Sequence, residues 1–429
     1  QKMVFLPGVF YLPLKFKIHK ISMRILLSAI YPYAFLLLYL IIPFDNYIRA
    51  LPNILLTILV FAFPFIVKKE DFKKLKSLPI AIFLVLFAYL CIDSLISGRL
   101  AEDYNIIKKI LIAVGLAILY IPVADVKKIN SAIIFSALAA ILFSVYNFVL
   151  ITDATGSFAL GDSPQVIESL LIDRLYLGLL STFSILISFQ AIQKKYHPNN
   201  NYYLANIFVN ALFIILIASK IAVVSLFILL LIRQFYGQRK IWKAIMAIVA
   251  ITVLTGLFFI IKNEKVIQFK QVENKQSPPA FIENSMTYEL RAVVWECAQD
   301  VIKNEGFSLT GMGFDATKDK LVSCYETQIS NPKKMEKFVS ERYNTHNQFL
   351  DFYISAGFIA LLLFLAFIVF SFISSQKQFF PTAMLAILVM YCLVENLFHR
   401  QIGAYYVGYI LIVLMTSANA AQNNSIKNL

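Results

Sequence analysis

Charge is scarce in this chain. Asp, Glu, Lys and Arg make up 15% of its 429 residues, against about 25% in soluble proteins, which excludes an ordinary soluble enzyme and a charge-rich disordered protein. Four cysteines are too few for a disulfide-built scaffold. There are four histidines, no CxxC, no HExxH and no close set of His with carboxylates at ligand spacing, so no metal site is read from the sequence. The acidic pair Glu102 and Asp103 is the one place where a divalent ion can be argued, and a solvated loop is the commoner reading of such a pair. Internal repeats and low-complexity tracts are also missing.

What is abundant is apolar surface: 59% of the residues are hydrophobic and the mean hydropathy is +0.72. Apolar runs of about 18 residues or more recur down the chain, the length a helix needs to cross a bilayer. The expected fold is an all-α polytopic membrane protein with about twelve transmembrane helices. The spans read as Ile25 to Pro43, Leu51 to Val67, Leu78 to Leu95, Ile106 to Val123, Asn130 to Ile151, Leu175 to Ile192, Tyr203 to Ala218, Ile221 to Ile232, Ala244 to Ile261, Phe349 to Ile373, Phe379 to Val394 and Gly403 to Ser417. The first two dozen residues, with Pro7 and Pro13 among interleaved lysines, read as an interfacial lead-in rather than a cleaved signal peptide or a further span.

A net charge of +14 raises the question of nucleic acid, and topology answers it. With both termini placed in the cytoplasm, one face of the membrane carries 20 Lys/Arg against 3 Asp/Glu, including Lys68, Lys69, Lys73, Lys74 and Lys76. That is the positive-inside pattern. The segment 262–347 carries 12 basic and 12 acidic residues and is the only sizeable hydrophilic stretch, an outer loop. The chain therefore divides into an N-terminal membrane region (1–261), the large loop (262–347) and a C-terminal membrane region (348–429). Nucleic acid is not among the expected partners.

Within the loop, Tyr288 to Asn304 has Leu290, Val293, Val294, Cys297, Ala298 and Val301 at helical spacing, which predicts an amphipathic helix. Gly311 and Gly313 predict a turn after it. Cys91 and Cys392 fall inside spans and read as small buried hydrophobes, whereas Cys297 and Cys324 share the outer loop. A disulfide between that pair and two free thiols are both open at this point. The 22 Tyr and 38 Phe read as core or lipid-facing residues, with Trp295 as a packing anchor for the loop helix.

Chemistry on the outer face must use the residues placed there. Arg174 opens the sixth span, Lys220 sits in the very short Ala218-Ser219-Lys220 connection, Arg291 lies on the loop helix, and His346 begins the tenth span. Cations beside hydrocarbon are costly unless paired, hydrated or kept for an anion. Several together suit a diphosphate, for which Arg offers a planar fork and Lys a point charge. For Arg174 alone, interfacial snorkelling is an equal reading.

At these residues the chain resembles a known family. Thr345-His346-Asn347-Gln348-Phe349-Leu350, followed by Gly357 and the apolar run to Phe367, is similar to the His-Asn motif heading a late helix in the O-antigen ligase and O-antigen polymerase superfamily. Arg291 to Trp295 followed by Gly311-Met312-Gly313-Phe314 looks like that family's loop helix and glycine turn. The resemblance implies a C-type membrane glycosyltransferase fold with a periplasmic loop, in a bacterial inner membrane. It also implies a polyprenyl-diphosphate-linked glycan donor, a lipid or glycolipid acceptor, no cofactor and transfer without a metal. Carried over, His346 is the general base, Arg174, Lys220 and Arg291 hold the diphosphate, and Asn347 supports the histidine. Two positions depart from the pattern. Ser219-Lys220 stands where the family often has Ser-Arg, and Ser355 stands where an acidic residue often precedes the motif glycine, which raises Asp351 as the support for His346. Transfer onto lipid A-core by a ligase is favoured over an O-antigen or exopolysaccharide polymerase, with a lipid-linked glycan transporter less favoured.

Overall fold

The computed structural model describes residues 11–45, 47–48, 50–123, 126–155, 170–193, 197–236, 289–329 and 331–427. All regular structure among the described residues is helical. Eleven of the twelve expected apolar segments coincide with helices: α1 (Tyr11–Ile41), α2 (Leu51–Ile66), α3 (Leu78–Ile96), α4 (Leu100–Leu119), α5 (Lys127–Thr155), α6 (Arg174–Ala191), α7 (Asn199–Leu216), α8 (Lys220–Phe235), α12 (Gln348–Ser375), α13 (Phe379–Cys392) and α14 (Gln401–Lys427). The expected span Ala244 to Ile261 lies outside the described residues, as does 262–288 of the loop. Among the described residues six stretches are long and apolar enough to cross a membrane: Arg24–Phe44, Leu78–Ile96, Lys127–Ala154, Arg174–Ala191, Gln348–Ser375 and Gln401–Ala418. The helix α1 begins at Tyr11, within the lead-in segment, with Pro13 in its first turn, where the missing N–H of proline costs no helical hydrogen bond.

The chain forms two compact units. The first comprises Gln1–Ala81, Leu111–Ala222 and Gln401–Leu429, and the second Ile82–Ile110 and Val223–Arg400. Inside the first unit, α6 and α7 are joined by buried polar groups: Asn206 Nδ2 donates to Ser184 Oγ at 2.9 Å and to Ser188 Oγ at 2.7 Å. Hydrocarbon supplies no hydrophobic pull between helices, so such bonds and close small-residue contacts take its place. Tyr31 and Tyr39 of α1 likewise donate to the carbonyls of Leu119 (2.8 Å) and Tyr405 (3.3 Å).

In the second unit the loop residues build a small helical subdomain of α9 (Glu289–Glu305), α10 (Phe314–Gln328) and α11 (Pro332–Glu341). The apolar stripe of α9 behaves as its spacing predicts, with Val294, Cys297, Ala298 and Val301 at most 6% exposed, against Leu321, Tyr325 and Phe338 of the next two helices. Cys297 and Cys324 form a disulfide linking α9 to α10.

The helix α12 is not the continuous span the sequence predicts. It breaks at Gly357, whose φ of 82° and ψ of −179° are open to glycine almost alone. The break frees backbone groups near the end of the first segment, and the loop 308–313 takes them up. Met312 N donates to Ile354 O at 3.1 Å, Gly313 N to Ser355 O at 2.8 Å, and Phe358 N to Ser308 O at 3.0 Å. The approach is so close that a Cβ on Gly311 would lie 2.0 Å from the Ser355 carbonyl carbon. The glycine turn read from sequence is therefore the piece that fills a broken helix. Arg99 fixes it from the other side, bonding Gly311 O and Asp93, while Asp103 Oδ1 accepts from Phe314 N at 2.7 Å.

Candidate functional site

The motif histidine sits immediately before α12, in a short segment shaped by side chain to backbone bonds. Asn347 caps the helix, its Oδ1 accepting from Phe349 N (3.0 Å) and Leu350 N (3.2 Å). Asn344 Oδ1 accepts from His346 N at 3.0 Å. Between those two anchors His346 is held at φ 43°, a left-handed conformation rare for a non-glycine residue. Such strain persists only where the surroundings impose it, and it gathers at functional sites.

Facing this segment is the run Val394-Glu395-Asn396 after α13. His346 Nδ1 is 3.1 Å from Glu395 Oε2. Thr345 Oγ1 and the Asn396 amide bond one another at 3.0–3.1 Å. Arg291 and Trp295 of α9 close the group, Arg291 Nε donating to Val394 O at 3.0 Å and Trp295 Nε1 to Thr345 O at 3.1 Å. Of the residues expected at the site, His346, Arg291 and Asn347 are thus brought together, with Trp295 as their brace.

The electrostatics follow from this packing. Burial alone would raise the Glu395 carboxyl, but the hydrogen bond and charge of His346, with the charges of Arg400 and Arg291, outweigh it and hold the group below its ordinary value. An ionised Glu395 can only accept, so Nδ1 is the nitrogen that turns a proton toward it, and in the neutral tautomer this leaves the lone pair on Nε2. His346 Nε2 is buried and has no hydrogen-bond partner. A histidine fixed at one nitrogen by a carboxylate, with the other nitrogen unpartnered, has the arrangement of a proton acceptor.

Asp351 is engaged elsewhere. Its Oδ2 lies 2.9 Å from His399 Nε2, with Gln348 Nε2 3.2 Å away, so the carboxylate behind His346 is Glu395 and Asp351 supports a second histidine. Two His–carboxylate pairs therefore stand between the same two segments in opposite sense. Asp103, weighed as half of a divalent-ion site, is buried and occupied by Phe314 N and Ser94 Oγ, while Glu102 is exposed. Among the described residues no group of three or more His, Cys, Asp and Glu could hold a metal ion.

Arg174 and Lys220 belong to the first unit. Asp173 caps α6, its Oδ1 accepting from Leu175 N at 2.9 Å. One turn after Arg174, a Cβ on Gly178 would lie 2.4 Å from Ser219 Oγ, so the beginning of α6 and the Ser219-Lys220 connection meet at one end of that unit. Ala218, at φ 49°, makes this turn without a glycine.

The broken helix, the loop subdomain and the braced histidine together place a buried polar cluster at the head of a long apolar helix. Residues 205–365 match the family model described as O-Antigen ligase, so over that region the chain is similar to the O-antigen ligase superfamily. The matched region contains Lys220, Arg291, His346, Asn347 and Asp351. No curated protein matches the chain.

Proposed function

We propose that this protein is an O-antigen ligase-type glycosyltransferase, moving a glycan from a polyprenyl-diphosphate carrier to a lipid A-core acceptor at the outer face of a bacterial inner membrane. The observation that carries the reading is the His346–Glu395 pair, 3.1 Å apart, with Nε2 buried and unpartnered. In the transfer, His346 Nε2 takes the proton of an acceptor hydroxyl as its oxygen bonds to the anomeric carbon of the donor. The bond from that carbon to the diphosphate oxygen breaks, and the electron pair leaves with the diphosphate. Glu395 holds the ring through Nδ1 and balances the imidazolium that results. Arg291, Arg174 and Lys220 are assigned to the diphosphate, whose growing negative charge needs fixed positive partners. Arg suits the paired oxygens better than Lys does, so Lys220 contributes charge without the planar fork.

The test is extraction of lipid-linked glycans and lipopolysaccharide from a strain lacking the gene. Long polymer on the carrier with bare lipid A-core is the expected result. Accumulation of single lipid-linked repeats would replace the ligase reading with a polymerase, and unchanged glycans would remove both.

A further inference from the structure

Beside the His346 pair lies an open polar cleft of about 390 Å³ lined by Asp315, Lys318, Glu341, Arg342, Asn344, His399 and Arg400. Its size falls within the roughly 300–1,000 Å³ of small-molecule sites. Asn344 belongs to both places, since its Oδ1 holds the backbone N–H of His346. Its lining carries Lys318, Arg342 and Arg400 against Asp315 and Glu341, an excess of one positive charge. Arg342 is paired with Asp319 outside the lining, and Lys318 reaches Asp315 at 3.4 Å. Behind the wall, the half-buried Lys109 Nζ donates to His399 O at 2.6 Å and has the charges of Lys108, Lys318 and Arg400 as neighbours. Among the described residues it has no carboxylate at ion-pair distance. Like charges gathered where solvent is partly excluded repel one another unless an anion joins them. Unlike the phosphate clamp proposed above, this cluster is mixed with groups that bond hydroxyls: the Asn344 amide and the Glu341 and Asp315 carboxylates.

We propose that this cleft is the acceptor subsite for a sugar residue carrying an anionic substituent, a phosphate or a carboxylate. The inference rests on the glycosyltransfer reading for its glycan and on the cleft alone for its charge. Lys318 and Arg400 face the anionic group, Asn344 and the acids take the hydroxyls, and Lys109 fixes the backbone of His399 while adding its field.

Titration calorimetry on the full chain in zwitterionic nanodiscs tests this with glucose 6-phosphate, glucuronate, glucose and inorganic pyrophosphate as probes. The two acidic sugars bind and glucose does not, and binding weakens as salt is added. Lys318→Gln, on the partly exposed face of α10, weakens it about tenfold, the effect of one charge-assisted contact. Lys109→Met does the same if it folds, and Lys318→Gln keeps the test decisive if it does not. Equal binding in wild type and Lys318→Gln overturns the proposal. So does pyrophosphate binding that is tighter than that of the sugar phosphate and falls in the same variant, which would give the cleft to the leaving diphosphate. Since binding requires no turnover, an inactive enzyme that still binds the acidic sugars refutes the transfer reading and leaves the cleft in place.

Discussion

His346 and Glu395 make separable contributions if one moves the proton and the other positions the ring. His346→Ala removes the base, and transfer falls about 10²–10⁴-fold. In Glu395→Gln, kcat falls about 10²-fold with KM nearly unchanged, because ring orientation and imidazolium charge matter in the transition state. A Glu395→Gln enzyme with normal kcat would show that the contact is only structural. Stability offers a second readout with a definite sign. The folded state holds the Glu395 carboxyl below its ordinary value, so its contribution is present above the unfolded carboxylate range and is lost as pH falls through the lowered value. The gap in melting temperature between wild type and Glu395→Gln therefore persists at neutral pH and closes only in acid. His346 was legible because it heads a span within a motif. Glu395 left a weaker trace: it is the only acidic residue after Asp351, beside an apolar helix where an ionisable group demands a reason. Pairing it with a residue 49 positions earlier required the fold.

At the level of elements, periodicity exposed α9, since its buried stripe repeats at helical spacing. The next two helices went unread, although Asn331-Pro332 is a helix-start signal and Asn331 does cap α11, accepting from Lys334 N. Hydropathy also concealed the break in α12, because Gly357 interrupts the backbone without interrupting the apolar run. Its consequence is measurable. Gly357→Ala imposes about 1–3 kcal/mol of dihedral strain and puts a methyl 2.2 Å from Leu309 O, so the loop must withdraw or the helix straighten. Either response displaces the 308–313 loop, and the expected outcome is a lower melting temperature in detergent together with reduced transfer. Gly115→Ala is the control. That glycine lies inside α4 with nothing within 4 Å of its would-be Cβ, and alanine in a helix interior is neutral or stabilising by roughly 0.5–1 kcal/mol. Equal melting temperatures for the two variants would show that the break carries no weight.

For the whole molecule, the sidedness of the membrane decides which residues can share a reaction. Apolar length alone locates spans but not their direction; the expected direction rests on the Lys/Arg asymmetry, in which the cluster from Lys68 to Lys76 follows α2. The segment 262–347, with its 12 basic residues, does not oppose that expectation, because a loop this long is translocated largely regardless of its charge. Its disulfide is at home in an oxidising compartment. Reporters fused after Lys76 and after Lys195 should accordingly report a cytoplasmic location, and one inserted in 262–347 a location outside. The loop fusion is the most telling of the three. It carries Arg291 and ends at His346 and Asn347, so a loop found in the cytoplasm would place the base on the wrong side for a translocated lipid-linked donor. The transfer chemistry assigned to His346 would then have no substrate within reach, however well its geometry suited the task.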